Sequence, residues 1–77
     1  MASVSIEELQ KLVGMQLGKR HVNANDRFVE DLGAESADVA NIVARVEETY
    51  GITIKEAEIA RLFTPADLFA LIHTRMQ

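Results

Sequence analysis

The chain of 77 residues contains no cysteine, no tryptophan and a single proline. Without cysteine it has no disulfide, thiolate metal site or cysteine nucleophile, so any thiol chemistry has to come from a bound group. Aromatic residues make up only 5% of the chain, but apolar residues reach 48%, which is enough for a small core. The length predicts one domain, residues 1–77, too small to surround a deep active-site cleft.

Long apolar runs are also lacking. None approaches the roughly 20 residues that a membrane-spanning helix needs. The opening residues MASVSIEEL lack the basic and apolar regions of a signal peptide. We therefore expect a cytoplasmic protein without a membrane span.

Negative charge is concentrated in one stretch of the chain. The net charge is −4, and the stretch from Glu30 to Glu48 holds six acidic residues and one basic residue. This stretch is therefore −5, and the rest of the chain is +1. Such a surface repels nucleic acid and attracts basic protein surfaces. The acidic second helix thus argues against nucleic acid as a partner, including for a helix-turn-helix DNA binder.

A first helix is predicted after Ser5, which forms a capping box with Glu8. Gly18 offers a left-handed end to this helix. Gly14 inside it costs up to about 1 kcal/mol relative to alanine, which close packing against a neighbour would rationalise. Apolar residues at helical spacing give the helix one buried face: Ile6, Leu9, Val13 and Leu17.

Residues 19 to 35 are predicted to form a long loop, because turn-forming residues are frequent in them. A loop this long in a small domain is unusual unless it packs on the core or serves a function. Apolar residues at intervals indicate that it is pinned to the core: Val22, Phe28, Val29 and Leu32.

The second helix is predicted from about Ser36 to Tyr50, with Ser36 as the N-cap and Gly51 after the last turn. Asp38 suits the positive end of the helix dipole. The buried stripe has spacings of 4, 3 and 4, with Ile42 beside it: Val39, Val43, Val46 and Tyr50.

The last third of the chain predicts an extended link, a short element and a final helix. Ile52–Ile54 is too short for more than a link, and Glu56–Leu62 is predicted as a short third helix or turn. Thr64, Pro65 and Asp67 are typical of a helix start. The final helix buries Leu68, Leu71 and Ile72. The predicted fold class is therefore all-α, a small four-helix bundle with a short third helix and a long loop between helices one and two.

Ser36, in DLGAESADV (residues 31–39), permits three interpretations. It caps the helix, it is a nucleophile, or another enzyme modifies it. A nucleophilic serine needs a base in contact, and His21 and His73 are distant in sequence. A phosphodiester on a serine at a helix N-terminus would meet the positive end of the helix dipole.

The same stretch, Asp31–Asp38, resembles the signature of the acyl carrier proteins, in which Asp-Ser-Leu carries 4′-phosphopantetheine on the serine. The resemblance extends over nearly the whole chain. DRFVEDLG (residues 26–33) looks like the loop into the second helix of that family. VEETYGI (residues 46–52) resembles the end of that helix, and Thr64-Pro65 resembles the start of the final helix.

The resemblance implies a free-standing, bacterial type II carrier that is not itself an enzyme. A phosphopantetheinyl transferase would use coenzyme A and Mg²⁺ to attach 4′-phosphopantetheine to Ser36. The thiol of that group would carry acyl intermediates as thioesters for fatty acid or related lipid or polyketide biosynthesis. The partners would be acyl-processing enzymes with basic docking patches, such as a ketosynthase, reductase, dehydratase or acyltransferase. A monomer is expected.

By the same resemblance, residues around the second helix form a docking surface for these enzymes. The family usually has Asp before and Leu after the serine, whereas this chain has Glu35 and Ala37. These departures concern the choice of partner rather than modification. The predicted docking residues are Glu30, Asp31, Glu35, Ala37, Asp38, Asn41, Glu47 and Glu48.

Several apolar residues are core residues on their spacing and, by resemblance, candidates for lining an acyl pocket: Val46, Ile54, Ile59, Leu62 and Leu68. No metal site is predicted, because His21 and His73 have no companions at ligand spacing. Two alternatives stay open. One is a carrier-like interaction module that is never modified, and the other is a carrier of aminoacyl groups such as D-alanine.

Overall fold

The computed structural model describes residues 4–76, and no strand occurs in that range. The predicted all-α architecture is confirmed, and α1 packs against both α2 and α4. The helices are α1 (Ile6–Leu17), α2 (Ser36–Tyr50), α3 (Glu56–Ile59) and α4 (Pro65–Arg75). The first three residues, on which the prediction of no signal peptide partly rests, lie outside the described range.

The start of α1 forms only half of the predicted capping box. The Ser5 hydroxyl accepts a hydrogen bond from the Glu8 N–H at 3.1 Å. The Glu8 carboxylate does not accept a hydrogen bond from the Ser5 N–H, which would complete the box. It accepts instead from the Tyr50 hydroxyl at 3.4 Å and so links α1 to the end of α2. Burial, reinforced by the charge of Glu8 and its hydrogen bond, raises the pKa of Tyr50. Gly18 ends the helix with φ 68°, as predicted.

Gly14 is buried, and a side chain there would meet the backbone. The Lys19 N–H donates to the Gly14 carbonyl at 2.8 Å, which folds the chain back after α1. A Cβ atom built on Gly14 would lie 2.7 Å from the Lys19 carbonyl oxygen. The expectation that close packing explains this glycine is therefore confirmed.

The loop between α1 and α2 is pinned to the core at three of the four predicted positions. Val22, Phe28 and Leu32 are buried, but Val29 is 56% exposed, so the prediction was wrong for Val29. The Leu32 N–H donates to the Arg27 carbonyl at 3.0 Å, which shows that the chain makes a tight turn here. In that turn Phe28 and Leu32 point inward, and Val29 between them points outward.

The buried face of α2 is centred one position away from the predicted stripe. Ile42, Val43 and Val46 are buried, whereas Val39 and Tyr50 at the two ends are half-buried. The face therefore follows Ile42, which the spacing had placed beside the stripe. This leaves the first turn of α2 mostly outside the core.

Helix α3 is shorter than predicted and ends at Ile59 rather than Leu62. Arg61 and Leu62 donate to the carbonyls three residues before them, Glu58 and Ile59, both at 3.0 Å, which turns the chain away from the helix axis. No residue of α3 is buried. Such a short element has little packing of its own to hold it in place.

Helix α4 begins as predicted. The Thr64 hydroxyl accepts from the Asp67 N–H at 3.1 Å, and the Asp67 carboxylate accepts from the Thr64 N–H at 3.1 Å, which completes a capping box. Leu68 and Ile72 are fully buried, and Leu71 is half-buried. The core thus lies between α1, α2 and α4, with the loop closing one end.

Candidate functional site

A short chain of backbone hydrogen bonds positions the start of α2. The Phe28 N–H donates to the Phe63 carbonyl at 2.8 Å, and the Ala34 N–H donates to the Phe28 carbonyl at 2.8 Å. Phe28 itself is 1% exposed, so its ring anchors both contacts in the core. The connection before α4, the turn before α2 and the residue just before the N-cap of α2 are therefore held together.

Ser36 is the first residue of α2, and Glu35 is the N-cap. The prediction of Ser36 as the N-cap was thus wrong by one residue. Glu35 has the extended conformation of an N-cap, φ −94° and ψ 169°. The Asp38 carboxylate reaches back and accepts from the Glu35 N–H at 2.9 Å, which stabilises this start.

The Ser36 side chain is exposed, and within residues 4–76 its hydroxyl has no hydrogen-bond partner. The first backbone bond of α2 runs from the Val39 N–H to the Glu35 carbonyl at 3.1 Å. The N–H groups of Ser36 and Ala37 consequently have no acceptor within the helix. An anionic group attached to the hydroxyl would meet these N–H groups and the positive end of the helix dipole, so the residues fit a phosphodiester.

The predicted docking residues run from the turn before α2 along that helix. Most are exposed, and Asp38 and Glu47 are half-buried. Glu30 pairs with Arg27 at 3.3 Å, with the two side chains 55% and 63% exposed. An ion pair this exposed contributes little to stability. The acids that the sequence groups together thus lie in the turn before α2, at the start of α2 and near its end, at exposed or half-buried positions.

Three of these acids also have structural partners, which the sequence did not reveal. Asp31 accepts from the Arg27 N–H at 2.8 Å, and Asp38 accepts from the Glu35 N–H as described above. Glu47 accepts from the Ile54 N–H at 2.8 Å. Glu47 therefore holds the link between α2 and α3, and a substitution there would disturb the fold as well as the charge of the surface.

The five candidates for an acyl pocket belong to the core or its edge. Val46 and Leu68 are 0% exposed, Ile54 and Leu62 are 6% and 8% exposed, and Ile59 is half-buried. Since protein interiors are close-packed, an acyl chain among these residues would require α3 to move away from the bundle. Leu62 also borders an open groove of about 360 Å³ on the outside of α3 and α4.

An ion pair connects α4 to α3, and the sequence did not predict it. The Arg75 guanidinium pairs with the Glu58 carboxylate and also donates to the Thr53 carbonyl. The hydrogen bond from Arg75, helped by one from the Lys55 N–H, lowers the pKa of Glu58. Glu58 and Arg75 stand 17 residues apart in the sequence, so no local pattern could have indicated the pair.

Two further observations cover residues 4–76. No three His, Asp or Glu side chains in that range come together as a possible metal site. The helices in the same range are too short or too polar to cross a membrane.

Comparison with known proteins gives a consistent picture. A family model described as "Phosphopantetheine attachment site" matches residues 7–72. An anthracycline acyl carrier protein from Streptomyces sp. strain C5 is 32% identical, over 100% of this chain and 96% of the relative. An acyl carrier protein from Akkermansia muciniphila is 37% identical, over 94% of each chain. The solution structure of a 3-oxo-butyl carrier protein from the actinorhodin polyketide synthase of Streptomyces coelicolor has a TM-score of 0.78. It is 26% identical and covers 99% of this chain and 95% of that one.

Proposed function

The chain belongs to the acyl carrier proteins, a family of 4′-phosphopantetheine-bearing carriers rather than enzymes, and we propose that Ser36 is the attachment residue. The observation that carries this proposal is the position of its hydroxyl. It is exposed and unbonded at the first residue of α2, beside N–H groups that have no acceptor within the helix. A transferase could reach this oxygen without unfolding any element.

The attached group supplies a thiol, which the chain lacks because it has no cysteine. The residues of the chain determine where that group is attached and how it is held. Phe28 and the capping bond from the Glu35 N–H to the Asp38 carboxylate fix the start of α2, and the positive end of that helix dipole would meet a phosphodiester on Ser36. The residues around Ser36 thus act by holding the attachment point in place and offering it to partners.

We propose that the docking residues named above guide basic surfaces of a transferase and of acyl-processing enzymes to Ser36. Exposed charges increase the rate and selectivity of association more than its affinity, and salt screens them. This suits a carrier that has to leave each partner, acting as a monomer in the cytoplasm. We expect 0.5 M salt to weaken partner binding markedly, as measured by titration calorimetry. Unchanged affinity would argue against charge guidance.

We propose acyl-chain assembly as the pathway, of the fatty acid or the polyketide kind. The similarity to an anthracycline carrier protein, together with Glu35 and Ala37 at the positions beside Ser36, supports a specialised polyketide carrier. Ketosynthases of the two kinds, offered the same acylated protein, would separate these roles. Equal use by a general fatty acid ketosynthase would contradict the specialised assignment.

The attachment site is tested by intact mass after incubation with coenzyme A, Mg²⁺ and a broad-specificity phosphopantetheinyl transferase. We expect a gain of one phosphopantetheine, absent in Ser36→Ala and retained in Ser5→Ala, which removes a serine at the start of a different helix. No gain in the wild type would favour an unmodified interaction module. A modified protein that accepts D-alanine from a ligase, and no acyl group, would favour the aminoacyl carrier.

A further inference from the structure

A groove bordered by α1 and α2 brings two basic and two apolar side chains together. It has a volume of about 240 Å³ and is lined by Glu8, Lys11, Leu12, Met15 and Arg45. The first four of these share one face of α1, because residues three and four apart are neighbours on a helix surface. Arg45 borders the same groove from α2. Met15 is 72% exposed, so the groove offers apolar surface to a ligand beside two positive charges.

The two bases of this groove have no internal partners. Lys11 and Arg45 are exposed, and neither forms an ion pair or a side-chain hydrogen bond within residues 4–76. The acid in the groove is already engaged, because the Glu8 carboxylate accepts from the Tyr50 hydroxyl at 3.4 Å. A negatively charged ligand could therefore pair with Lys11 and Arg45 without breaking a bond that holds the fold.

Positive charge continues past Lys11 along the surface. Lys11 also lines a second groove, of about 250 Å³, which is bordered by Glu7, Arg20 and His21 as well. The two grooves thus contain three bases and two acids, a net charge of +1 with His21 neutral. The whole chain carries −4, so the sign of the charge is reversed locally. We call the basic side chains of the two grooves the basic face: Lys11, Arg20, His21 and Arg45.

The basic face leaves Ser36 accessible. Arg45 follows Ser36 by nine residues, which is about two and a half turns of α2. Arg45 therefore lies on the opposite side of that helix, about 180° around its axis and about 13 Å along it. A partner bound at Lys11 and Arg45 consequently does not cover the Ser36 hydroxyl.

A short acidic segment fits this surface better than an extended anionic one. Salt screens charges beyond about 8 Å at physiological ionic strength, so a segment in the groove senses mainly the bases around it. A membrane or a nucleic acid presents negative charge over a larger area and would also meet the acids of a chain whose net charge is −4. The surface is also concave, and an amphipathic helix docks in a groove by its apolar face.

We propose that the basic face docks an amphipathic helix of a partner protein, with acidic residues on both sides of its apolar stripe. The stripe covers Leu12 and Met15, and burying this surface is favourable. The thioether side chain of Met15 adapts to apolar partners of different shape. The acids pair with Lys11 and Arg45, and a carrier held in this way keeps Ser36 free for another enzyme. The inference goes beyond the attachment at Ser36 and does not depend on it.

The probe for this site is a synthetic helical peptide of about 18 residues, with leucines on one side and glutamates on both flanks. It is titrated into ¹⁵N-labelled protein, and the amide shifts are followed by NMR. We expect saturable shifts at Lys11, Leu12, Met15 and Arg45. A peptide with glutamine in place of each glutamate should bind at least about threefold more weakly, because the ion pairs are lost. Equal binding of the two peptides would overturn the proposal.

Paired substitutions test the bases. Lys11→Gln together with Arg45→Gln should weaken binding of the glutamate peptide at least about threefold. Lys55→Gln together with Arg61→Gln is the matched control, because both residues are exposed and have no ion-pair partner within residues 4–76. The control changes the net charge equally and should change the affinity by less than about twofold. Equal weakening in the two variants would reduce the effect to net charge and overturn the site.

Met15→Ser tests the apolar contact. It should weaken binding of the glutamate peptide at least about threefold, because it removes apolar surface that the helix would cover. Phe63→Ser is the control, since Phe63 is exposed to a similar extent, 59%, and lies outside both grooves. Unchanged affinity in Met15→Ser would show that the apolar stripe does not bind there and would overturn the proposal.

Three other outcomes would also overturn it. Shifts centred on Ser36 instead of Lys11 would place the peptide at the start of α2. Tighter binding to vesicles of phosphatidylglycerol and phosphatidylcholine than to the peptide, lost in the Lys11 and Arg45 variant, would assign the basic face to a membrane. Self-association in sedimentation that the same variant abolishes would assign it to a contact between two copies. The titrations use protein without phosphopantetheine, so their result is independent of whether Ser36 is the attachment residue.

Discussion

Arg75, the last residue of α4, forms an ion pair with Glu58 in α3. The same guanidinium donates to the Thr53 carbonyl in the link before α3. Helix α3 has four residues, of which none is buried and Ile59 packs against the edge of the core, so Arg75 adds support to an element with little packing of its own. Arg75 thus connects α4 to α3.

Arg75→Ala should loosen α3 before the rest of the bundle. The amide of Ile59, which bonds to the Lys55 carbonyl at 3.0 Å, should exchange with solvent at least severalfold faster, while amides in α1 change little. Hydrogen exchange followed by NMR measures this. Arg61→Ala is the control, because Arg61 is exposed and forms no ion pair within the described residues. Equal acceleration in both variants would contradict a specific role for Arg75.

The contribution of Glu58 should depend on pH in the acidic range. Arg75 holds the pKa of Glu58 below its usual value of 4.5, so the folded state favours the charged form. The stabilisation is therefore complete above the unfolded pKa and is lost as pH falls through the folded pKa. The difference in unfolding free energy between the wild type and Glu58→Gln should stay constant from pH 7 to about 5 and shrink below 4.5.

Chemical denaturation at several pH values gives these free energies. In an Arg75→Gln background, Glu58→Gln should show a weaker pH dependence, because the main cause of the lowered pKa is gone. A pH dependence that is the same in both backgrounds would show that Arg75 is not its source.

Glu47 and Glu48 are neighbours on α2, and we expect them to differ in role. Glu47→Ala leaves the Ile54 N–H without its acceptor and should cost about 1–2 kcal/mol in unfolding free energy. Glu48→Ala, at an exposed position, should change that free energy by less than about 0.5 kcal/mol. Urea denaturation measures both.

Glu48→Ala, which changes stability little, should slow association with the transferase at low salt. Glu47→Gln is the control for stability: it keeps an acceptor oxygen for the Ile54 N–H and should recover most of the stability lost in Glu47→Ala. If Glu47→Ala were as stable as the wild type, the bond to Ile54 would not be holding the link.

Gly14→Ala should destabilise the protein, although alanine is the better helix former by about 1 kcal/mol. The new Cβ would lie 2.7 Å from the Lys19 carbonyl oxygen, which is backbone and cannot turn aside as a side chain could. We expect a net loss of about 1–3 kcal/mol in unfolding free energy. A rise in melting temperature would show that the turn after α1 adjusts freely.

Local signals explain why the longer helices could be predicted from the sequence. Ser5, Gly18 and Thr64 act within one turn of the helix that they start or end, and the apolar spacing lies within each helix. The start of α2 was misplaced by one residue. Serine is a favoured N-cap, but the carboxylate of Asp38 bonds to the N–H of Glu35 and moves the cap there.

The features that could not be predicted depend on contacts between distant segments. The outward position of Val29 follows from the turn between Arg27 and Leu32, which tertiary hydrogen bonds at Phe28 support. The internal partner of Glu47 lies seven residues away across the end of α2. The sequence shows that acids cluster around Ser36. It could not show which of them form hydrogen bonds within the fold and which are available to partners.

The backbone of Phe28 limits how the length of the loop can change. Its N–H bonds to Phe63 and its carbonyl to Ala34, and the seven residues from Phe28 to Ala34 set where α2 begins. An insertion or deletion within that interval would displace Ser36 relative to Phe28 and Phe63. Arg20 and His21 are exposed, and length changes are best tolerated at such positions. The backbone of Lys19 is held by its hydrogen bond to Gly14, so an engineered linker or tag inside the loop belongs at residues 20–21.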